Sequence, residues 1–299
     1  MNTELTSTPV VKKQRTTVRQ RRRAIVHGLQ NALLVIMLLV ILMPIALMLL
    51  TSLRPRTDIV SSTAPLFPEE LHFENYAEMW SYIKFGPLFR NSLVVVSITT
   101  VVATFFAAMA GYALARFRFP GADTYGLVVM GTQLIPGTLF FIPLYLTFLW
   151  LKNTFGMPLV GSNFGAIVLY IGFYTPISLW ILRGFFASIP TALEEQAMVD
   201  GATRFEAFLK ISLPLAKPGI VSTAIYVFMT AWDEMFFAYI LGVKTVPVGI
   251  RQFVQGAAGT QVRYDYIAAA SVVITIPVAL MFFLLQKHFI RGLTAGAVK

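Results

Sequence analysis

Long apolar runs dominate this sequence and limit what it can fold into. Six of them are close to or above the roughly 20 residues that an α-helix needs to cross the hydrocarbon core of a bilayer. Charged residues make up only 13% of the 299 positions, against about 25% in a soluble domain. The sequence therefore predicts an all-α membrane protein with six transmembrane helices, at roughly 26–53, 91–115, 125–151, 164–183, 219–243 and 266–287.

Lysine and arginine predict the orientation, because cytoplasmic segments carry an excess of them. If the N-terminus is cytoplasmic, the inside segments hold sixteen of the 24 and the outside segments hold eight. Seven of the sixteen precede Ala24, beside the first apolar run. We therefore expect a multi-pass membrane protein with both termini in the cytoplasm. The net charge of +10 then needs no nucleic-acid partner.

The spans and their flanks suggest a division of the chain. The first apolar run is too long for the core of a signal peptide, so we expect an uncleaved anchor. The acidic segment after it is too short for a domain of its own and is interpreted as a solvated cap. The expected parts are a basic cytoplasmic N-terminal arm at 1–24, the first transmembrane helix at 25–53, an external loop at 54–87, a core transmembrane domain at 88–290 and a cytoplasmic C-terminal tail at 291–299.

Several spans contain residues that are unusual in lipid. Proline and glycine within 136–143 interrupt the backbone hydrogen bonds, which lipid tolerates only where protein or a water-filled cavity satisfies the freed groups. This break is either a simple kink or part of a pathway that includes the neighbouring Phe140 and Tyr145. The fourth span is interrupted in the same way near Tyr174.

Small residues recur every fourth position in the second span, which places them on one helical face. Such a face lets helices approach closely, either within the chain or at a subunit interface. Its members are Ala103, Ala107, Gly111 and Ala115.

Two adjacent carboxylates, Asp233 and Glu234, lie within the fifth span, where burying a charge is costly. They form a polar wall of a pathway, or the helix ends there and the acids lie among lipid headgroups. Ion coupling is a third interpretation, and it makes an ion-coupled secondary transporter the alternative function.

The polar connector 187–218 predicts a helix, a turn and a second helix. Pro190 suits the first turn of a helix, and Gly201 supplies the flexible backbone that ends it. Thr203 and Glu206 have the spacing of a capping box at the start of the next helix.

The second of these helices carries an apolar stripe of Phe205, Phe208 and Leu209. An exposed stripe needs a surface to cover it. From the pattern alone, that surface is either the lipid interface or a groove on a partner protein.

The pattern E-x-A-x-x-x-G over 195–201, followed by I-x-L-P over 211–214, resembles the cytoplasmic EAA loop of bacterial ABC-importer permeases. One departure is Gln196, where the family usually has alanine. The Trp-Asp-Glu segment within 231–238 and the tail 286–299 resemble the maltose-type carbohydrate-uptake branch of that family. The resemblance covers the chain from about residue 70 to its end.

This resemblance implies a location in the bacterial plasma (inner) membrane and a type I ABC-importer permease fold in which 187–218 is the cytoplasmic coupling loop. It implies import of a sugar or oligosaccharide, without naming the sugar or the subunit that contacts it. The implied partners are a second permease subunit in a heterodimer, a dimer of ATPase subunits and an external solute-binding protein. The residues expected to couple to the ATPase are Glu195, Ala197, Asp200, Gly201, Phe205, Phe208, Leu209, Leu213 and Pro214.

Two further sets of residues are expected to contact the substrate or the binding protein. In the loop 244–265, the residues expected to face the binding protein are Gly256, Ala257, Ala258 and Gly259. The candidates for the substrate pathway are Phe140, Tyr145, Tyr174, Trp232, Asp233 and Glu234.

The chain itself is expected to catalyse nothing. It has no Gly-Lys dipeptide and therefore no P-loop for ATP. It has no cysteine, and its three histidines lack the spacing of metal ligands. We expect no metal and no cofactor on this chain, with ATP and magnesium bound by the partner ATPase.

Overall fold

A computed structural model describes residues 18–61, 67–68, 70–256 and 262–297. The chain divides into two compact units, Met1–Leu50 and Thr51–Lys299. Within the described residues the regular structure is helical and no β-strand occurs. The α-helices are α1 (Val18–Ser52), α2 (Arg56–Val60), α3 (Glu74–Tyr82), α4 (Phe85–Arg116), α5 (Ala122–Gly131), α6 (Phe141–Phe155), α7 (Asn163–Ser188), α8 (Thr191–Val199), α9 (Arg204–Ala207), α10 (Leu213–Leu215), α11 (Lys217–Asp233), α12 (Phe236–Ile240), α13 (Val246–Gly256) and α14 (Tyr264–Ala297).

Among the described residues, four helices are long and apolar enough to cross a membrane. They lie at Ile25–Ser52, Phe85–Arg116, Asn163–Ser188 and Tyr264–Leu285. Two bent helix pairs raise the number of candidate spans to six, the number that the sequence predicts. These pairs are Ala122–Leu134 with Gly137–Phe155, bent by 89°, and Arg204–Leu215 with Lys217–Asp233, bent by 71°.

The break in the third span falls where the sequence places it. Ile135 is extended and, with Pro136, separates two short 3₁₀ turns, Thr132–Leu134 and Gly137–Phe140. Because proline has no N–H and disfavours the helical conformation in the residue before it, the chain changes direction here. The break is therefore a sharp corner between α5 and α6.

The fifth span differs from its prediction. No single helix runs through 219–243, because α11 ends at Asp233 and Glu234 is extended after it, as in one of the alternatives that the adjacent acids left open. The short helix α12 then follows. A hydropathy pattern cannot detect this interruption, since the residues on both sides of it are apolar.

Close packing between α4 and α7 forms the centre of the second unit. Ala103 and Ala107 on the small face of α4 are fully buried. A Cβ on Gly111 would lie 2.9 Å from the backbone nitrogen of Arg183 and 3.2 Å from Cβ of Leu182. Glycine is therefore required where the two helices cross, and the small face packs within the chain at this point.

The segment before α4 is not only a solvated cap. Met79 and Ile83, in and just after α3, are buried against Val246 of α13 and Tyr266 of α14. The predicted external loop 54–87 therefore contains a packed helix, because α3 has an apolar side that α13 and α14 cover.

The helix α13 occupies part of the predicted outer loop 244–265. It lies so close to α4 that a Cβ on Gly249 would come within 2.2 Å of Cδ1 of Leu88. The loop prediction is therefore wrong for Val246–Gly256, which is helical and packed.

We expect Gly111→Ala to destabilise the protein, because the added methyl group meets the backbone of α7. Overpacking of this kind lowers the free energy of unfolding by about 1–3 kcal/mol. Gly184→Ala on α7 is the matched control, since no atom lies within 4 Å of its added Cβ. Thermal unfolding of the two variants in detergent tests this, and equal melting temperatures would contradict it.

Candidate functional site

The coupling loop 187–218 folds as two helical arms joined by a tight turn. The first arm is α8, which follows the extended Pro190. The second arm is Arg204–Leu215, in which a π turn over Phe208–Ser212 separates α9 from α10. The predicted helix-turn-helix is therefore present, with an irregular second arm.

Gly201 makes the turn between the arms. Its φ angle is +94°, a left-handed conformation that costs a residue with a Cβ about 1–2 kcal/mol. The N–H of Gly201 donates to the carbonyl of Met198, and the N–H of Ala202 donates to that of Ala197. These bonds satisfy the last carbonyl groups of α8, as expected of a glycine that follows a helix.

The predicted capping box begins the second arm. The Glu206 N–H donates to Oγ1 of Thr203 at 3.2 Å, and the Thr203 N–H donates to the Glu206 carboxylate at 2.8 Å. The backbone and side-chain bonds from Thr203, with Nζ of Lys210 at 3.2 Å, lower the pKa of Glu206 to about 2. The carboxylate therefore stays charged at any physiological pH and keeps the turn ordered.

A buried carboxylate joins the coupling loop to α4. Oε1 of Glu194 lies 2.7 Å from Nε of Arg116, and the hydroxyl of Tyr112 donates to Oε2 at 3.1 Å. Ser212, in the π turn, also donates to Glu194. The side chains of Arg116 and Glu194 are only 7% and 10% exposed. We call Tyr112, Arg116, Glu194 and Ser212 the Glu194 network.

The network fixes the charge of its carboxylate. Burial raises the pKa of Glu194, but the hydrogen bonds from Ser212 and Arg116 and the charge of Arg116 outweigh it. The pKa is therefore lowered and the carboxylate is ionised. Arg116 also donates from Nη2 to the carbonyl of Ile189 at 2.9 Å, which secures the junction between α7 and α8.

The sequence did not reveal this network. Its charged members are 78 positions apart, so no local spacing relates them. Arg116 contributes only to the charge count at the end of a span, and Glu194 resembles any acidic residue in the first turn of a helix. The adjacent Glu195 belongs to the recognisable motif, yet it is exposed.

The expected coupling residues differ in exposure, and one prediction is wrong. Phe205 and Leu209 are 61% and 42% exposed, whereas Phe208 is only 4% exposed. Its ring centroid lies 4.4 Å from that of Tyr112 and 6.1 Å from that of Phe186. Phe208 therefore belongs to the core and cannot be part of an exposed stripe, because α4 and α7 already cover it. Of the remaining expected residues, Ala197 and Leu213 are half-buried and the exposed ones are Glu195, Asp200, Gly201 and Pro214.

Two cavities with charged residues in their lining flank the arms of the coupling loop. One, of about 190 Å³, is lined by the buried Arg116 and Glu194 and by the exposed Glu195 and Arg204, among others. The other, of about 310 Å³, lies at the turn and is lined by residues that include Gly201. A protein seated on the loop would therefore find concave, charged surfaces beside its exposed apolar side chains.

The aromatic pathway candidates lie in different surroundings. Phe140 lines an apolar cavity of about 450 Å³ between the α5–α6 corner and α7. Tyr145 is half-buried against the core, and Tyr174 is buried with its hydroxyl 3.4 Å from the carbonyl of Thr230. The Trp232 ring is buried and stacks on Phe228 at 5.7 Å. The structure does not gather these residues around one cavity.

The adjacent acids have separate environments. The Glu234 carboxylate accepts from the N–H groups of Phe237 at 2.8 Å and Ala238 at 3.2 Å, and from the hydroxyl of Tyr170. It thereby satisfies the first N–H groups of α12 after α11 has ended. Asp233 is exposed. The helix does end at these acids, and Glu234 stabilises the interruption.

The residues expected to face the binding protein lie largely outside the described part of the chain. Gly256 is the last residue of α13. The others, Ala257, Ala258 and Gly259, fall outside the described residues.

We expect Phe208→Ala to lower the free energy of unfolding by about 3–5 kcal/mol, because it removes a buried ring and leaves a cavity. The control Phe205→Ala should change it by no more than about 0.5 kcal/mol, since its ring is exposed. Thermal unfolding of the isolated chain distinguishes them. An equal loss would mean that both rings are buried.

The two acids of the fifth span should also differ. Glu234→Ala leaves the first N–H groups of α12 and the buried Tyr170 hydroxyl without their acceptor, which costs about 1–3 kcal/mol. Asp233→Ala should leave the melting temperature unchanged. A larger loss in the Asp233 variant would contradict the assignment of Glu234 as the cap.

Comparison with known proteins identifies the family. Residues 103–295 match the family described as binding-protein-dependent transport system inner membrane component. The trehalose/maltose transport system permease protein of Thermococcus litoralis is 32% identical over 89% of this chain and 94% of its own length. The trehalose transport system permease protein of Mycobacterium tuberculosis is 35% identical over 86% of this chain and 92% of its own length.

A solved structure supports the same fold. It is that of a bacterial ABC transporter involved in the import of the acidic polysaccharide alginate, with a TM-score of 0.71. The match has 22% identity and covers 91% of this chain and 98% of the other. The type I ABC-importer permease fold expected from the sequence is confirmed, and the alternative of an ion-coupled secondary transporter is not supported. This chain belongs to the family of inner-membrane components of binding-protein-dependent transport systems.

Proposed function

We propose that this chain is a permease subunit of an ATP-driven importer that translocates a sugar or oligosaccharide. The observation that carries the proposal is the coupling loop, which exposes Phe205 and Leu209 while its base is fixed to the spanning helices. A loop that only connects two spans needs neither exposed aromatic groups nor a buried ion pair. A loop that receives force from a partner needs both.

The nature of the cargo follows from the relatives. Several that match most of this chain are named as permeases for trehalose, maltose or diacetylchitobiose. A small oligosaccharide of a few sugar units is therefore the class of substrate that we propose. The exposed Asp233 and the aromatic groups of α6 and α11 remain candidates for lining its path.

The proposed assembly has three further components. A second permease subunit completes the pathway, a dimer of ATPase subunits binds ATP and magnesium, and an external binding protein delivers the sugar. The excess of lysine and arginine favours a cytoplasmic location for both termini and the coupling loop. Closure of the ATPase dimer on ATP would push the loop, and the helices would move with it as a rigid body.

Docking of the ATPase tests the proposal directly. We expect Phe205→Asp with Leu209→Asp to weaken recovery of the ATPase with the permease by at least about tenfold, because charge replaces the apolar contact. Phe205→Leu is the matched control and should retain the complex. Co-purification in detergent measures both, and ATP-dependent sugar uptake into proteoliposomes should fall in parallel. Uptake that continues without ATP and stops when the proton gradient is dissipated would overturn the proposed function.

A further inference from the structure

The coupling loop is connected to the spanning helices by three routes. Two are covalent, since α8 follows α7 through Ile189 and Pro190, and α10 leads into α11 through Ala216. The third route leads to α4, which is distant in the chain. Within the described residues, the side-chain hydrogen bonds between α4 and the two arms all end on Glu194.

Both arms meet at this carboxylate. Glu194 itself lies on the first arm, and Ser212 of the second arm donates to it. Tyr112 and Arg116 are one helical turn apart on α4, so they hold the carboxylate from one face of that helix. A relative movement of α4 and the first arm would therefore separate a buried, ionised pair, and a movement of the second arm would break the hydrogen bond from Ser212.

Such a separation is costly, because a buried charge that loses its partner keeps its desolvation penalty. The aromatic contacts beside the network add a second constraint. The Tyr112 ring packs on Phe208 of the second arm and on Phe186 of α7, at 4.4 Å and 5.4 Å. The polar and apolar contacts of one α4 residue thus hold three elements together.

A cavity brings the network within reach of a docked partner. The same space of about 190 Å³ is lined by the exposed Glu195 and the half-buried Met198 of α8 and by the buried side chains of Glu194 and Arg116. A group seated at the coupling loop would therefore contact the arm that holds the buried pair.

We infer that Glu194 and Arg116 are positioning residues that make α4 move together with the coupling loop. The inference rests on the proposed function, since it concerns how movement at the loop reaches the pathway. Loss of the Glu194 network uncouples ATP hydrolysis from sugar uptake. The ATPase still docks on the exposed side chains and hydrolyses ATP, but α4 no longer moves with the coupling loop. Glu195 and Phe205 contact the partner in this scheme, whereas Glu194 transmits the movement.

The test uses the complete complex in proteoliposomes. We expect Glu194→Gln to lower the amount of sugar taken up per ATP hydrolysed by about tenfold, since it removes the charge that Arg116 faces. Recovery of the ATPase with the permease should stay unchanged. Tyr112→Phe is a milder variant that keeps the ring and removes one hydrogen bond, and it should lower the ratio by about two- to threefold.

Asp123→Asn is the matched control. It removes the carboxylate of another ion pair, Asp123–Arg183 at 3.0 Å, whose acid is 89% exposed. An exposed pair contributes little, so this variant should keep the uptake ratio of the unaltered chain.

A distance measurement separates transmission from simple stability. Because the chain has no cysteine, spin labels can be placed at Val101→Cys on α4 and Ala192→Cys on α8, both at exposed positions. With the Glu194 network intact, the distance between the two spin labels should be the same with and without ATP. In the Glu194→Gln background it should broaden or change on ATP binding.

Three results would overturn the inference: an unchanged uptake ratio in Glu194→Gln, a constant distance in that background, or loss of uptake only in proportion to loss of the assembled complex. Failure of the unaltered complex to couple ATP to uptake would instead contradict the proposed function.

Discussion

The interior of this protein depends on one constraint: a backbone group that leaves a helix in apolar surroundings must find a partner within the protein. Where α11 stops, the Glu234 carboxylate receives the free N–H groups at the start of α12. Where α7 stops, Arg116 donates to the carbonyl of Ile189. In both places a charged side chain stabilises the interruption of a helix.

Local and tertiary contacts together hold the coupling loop in place. Its turn is fixed by Gly201 and its second arm by the capping box of Thr203 and Glu206. Its base is fixed by Glu194 against α4 and by Phe208 against the aromatic cluster. The exposed apolar side chains, Phe205 and Leu209 among them, are presented by arms that are held at the turn and at the base. A coupling loop held in this way can pass a displacement of a docked partner on to the spanning helices, whereas a flexible connector would absorb it.

Local features of this architecture could be predicted from the sequence, because they depend on residues close together in the chain. The capping box needs only Thr203 and Glu206, and the corner between α5 and α6 needs only Pro136 and its neighbours. The burial of Phe208 could not be predicted. The predicted stripe of Phe205, Phe208 and Leu209 assumes a regular helix. A π turn begins at Phe208, and aromatic rings from α4 and α7 pack against it. The Glu194 network was equally inaccessible, since its parts meet only after α4 and α8 have packed.

Two pairs of adjacent acids show why neighbouring residues can differ in role. In each pair, one carboxylate is held within the protein and the other is exposed: Glu194 against Glu195, and Glu234 against Asp233. Successive side chains on a helix point about 100° apart, so Glu194 on α8 can reach the core while Glu195 faces outward. In the other pair the helix ends between the two residues, and the extended backbone of Glu234 turns its carboxylate towards α12. Composition and hydropathy treat the two as equal. The internal member determines the shape of the chain at that point, and the exposed member is then free to contact a partner or a substrate.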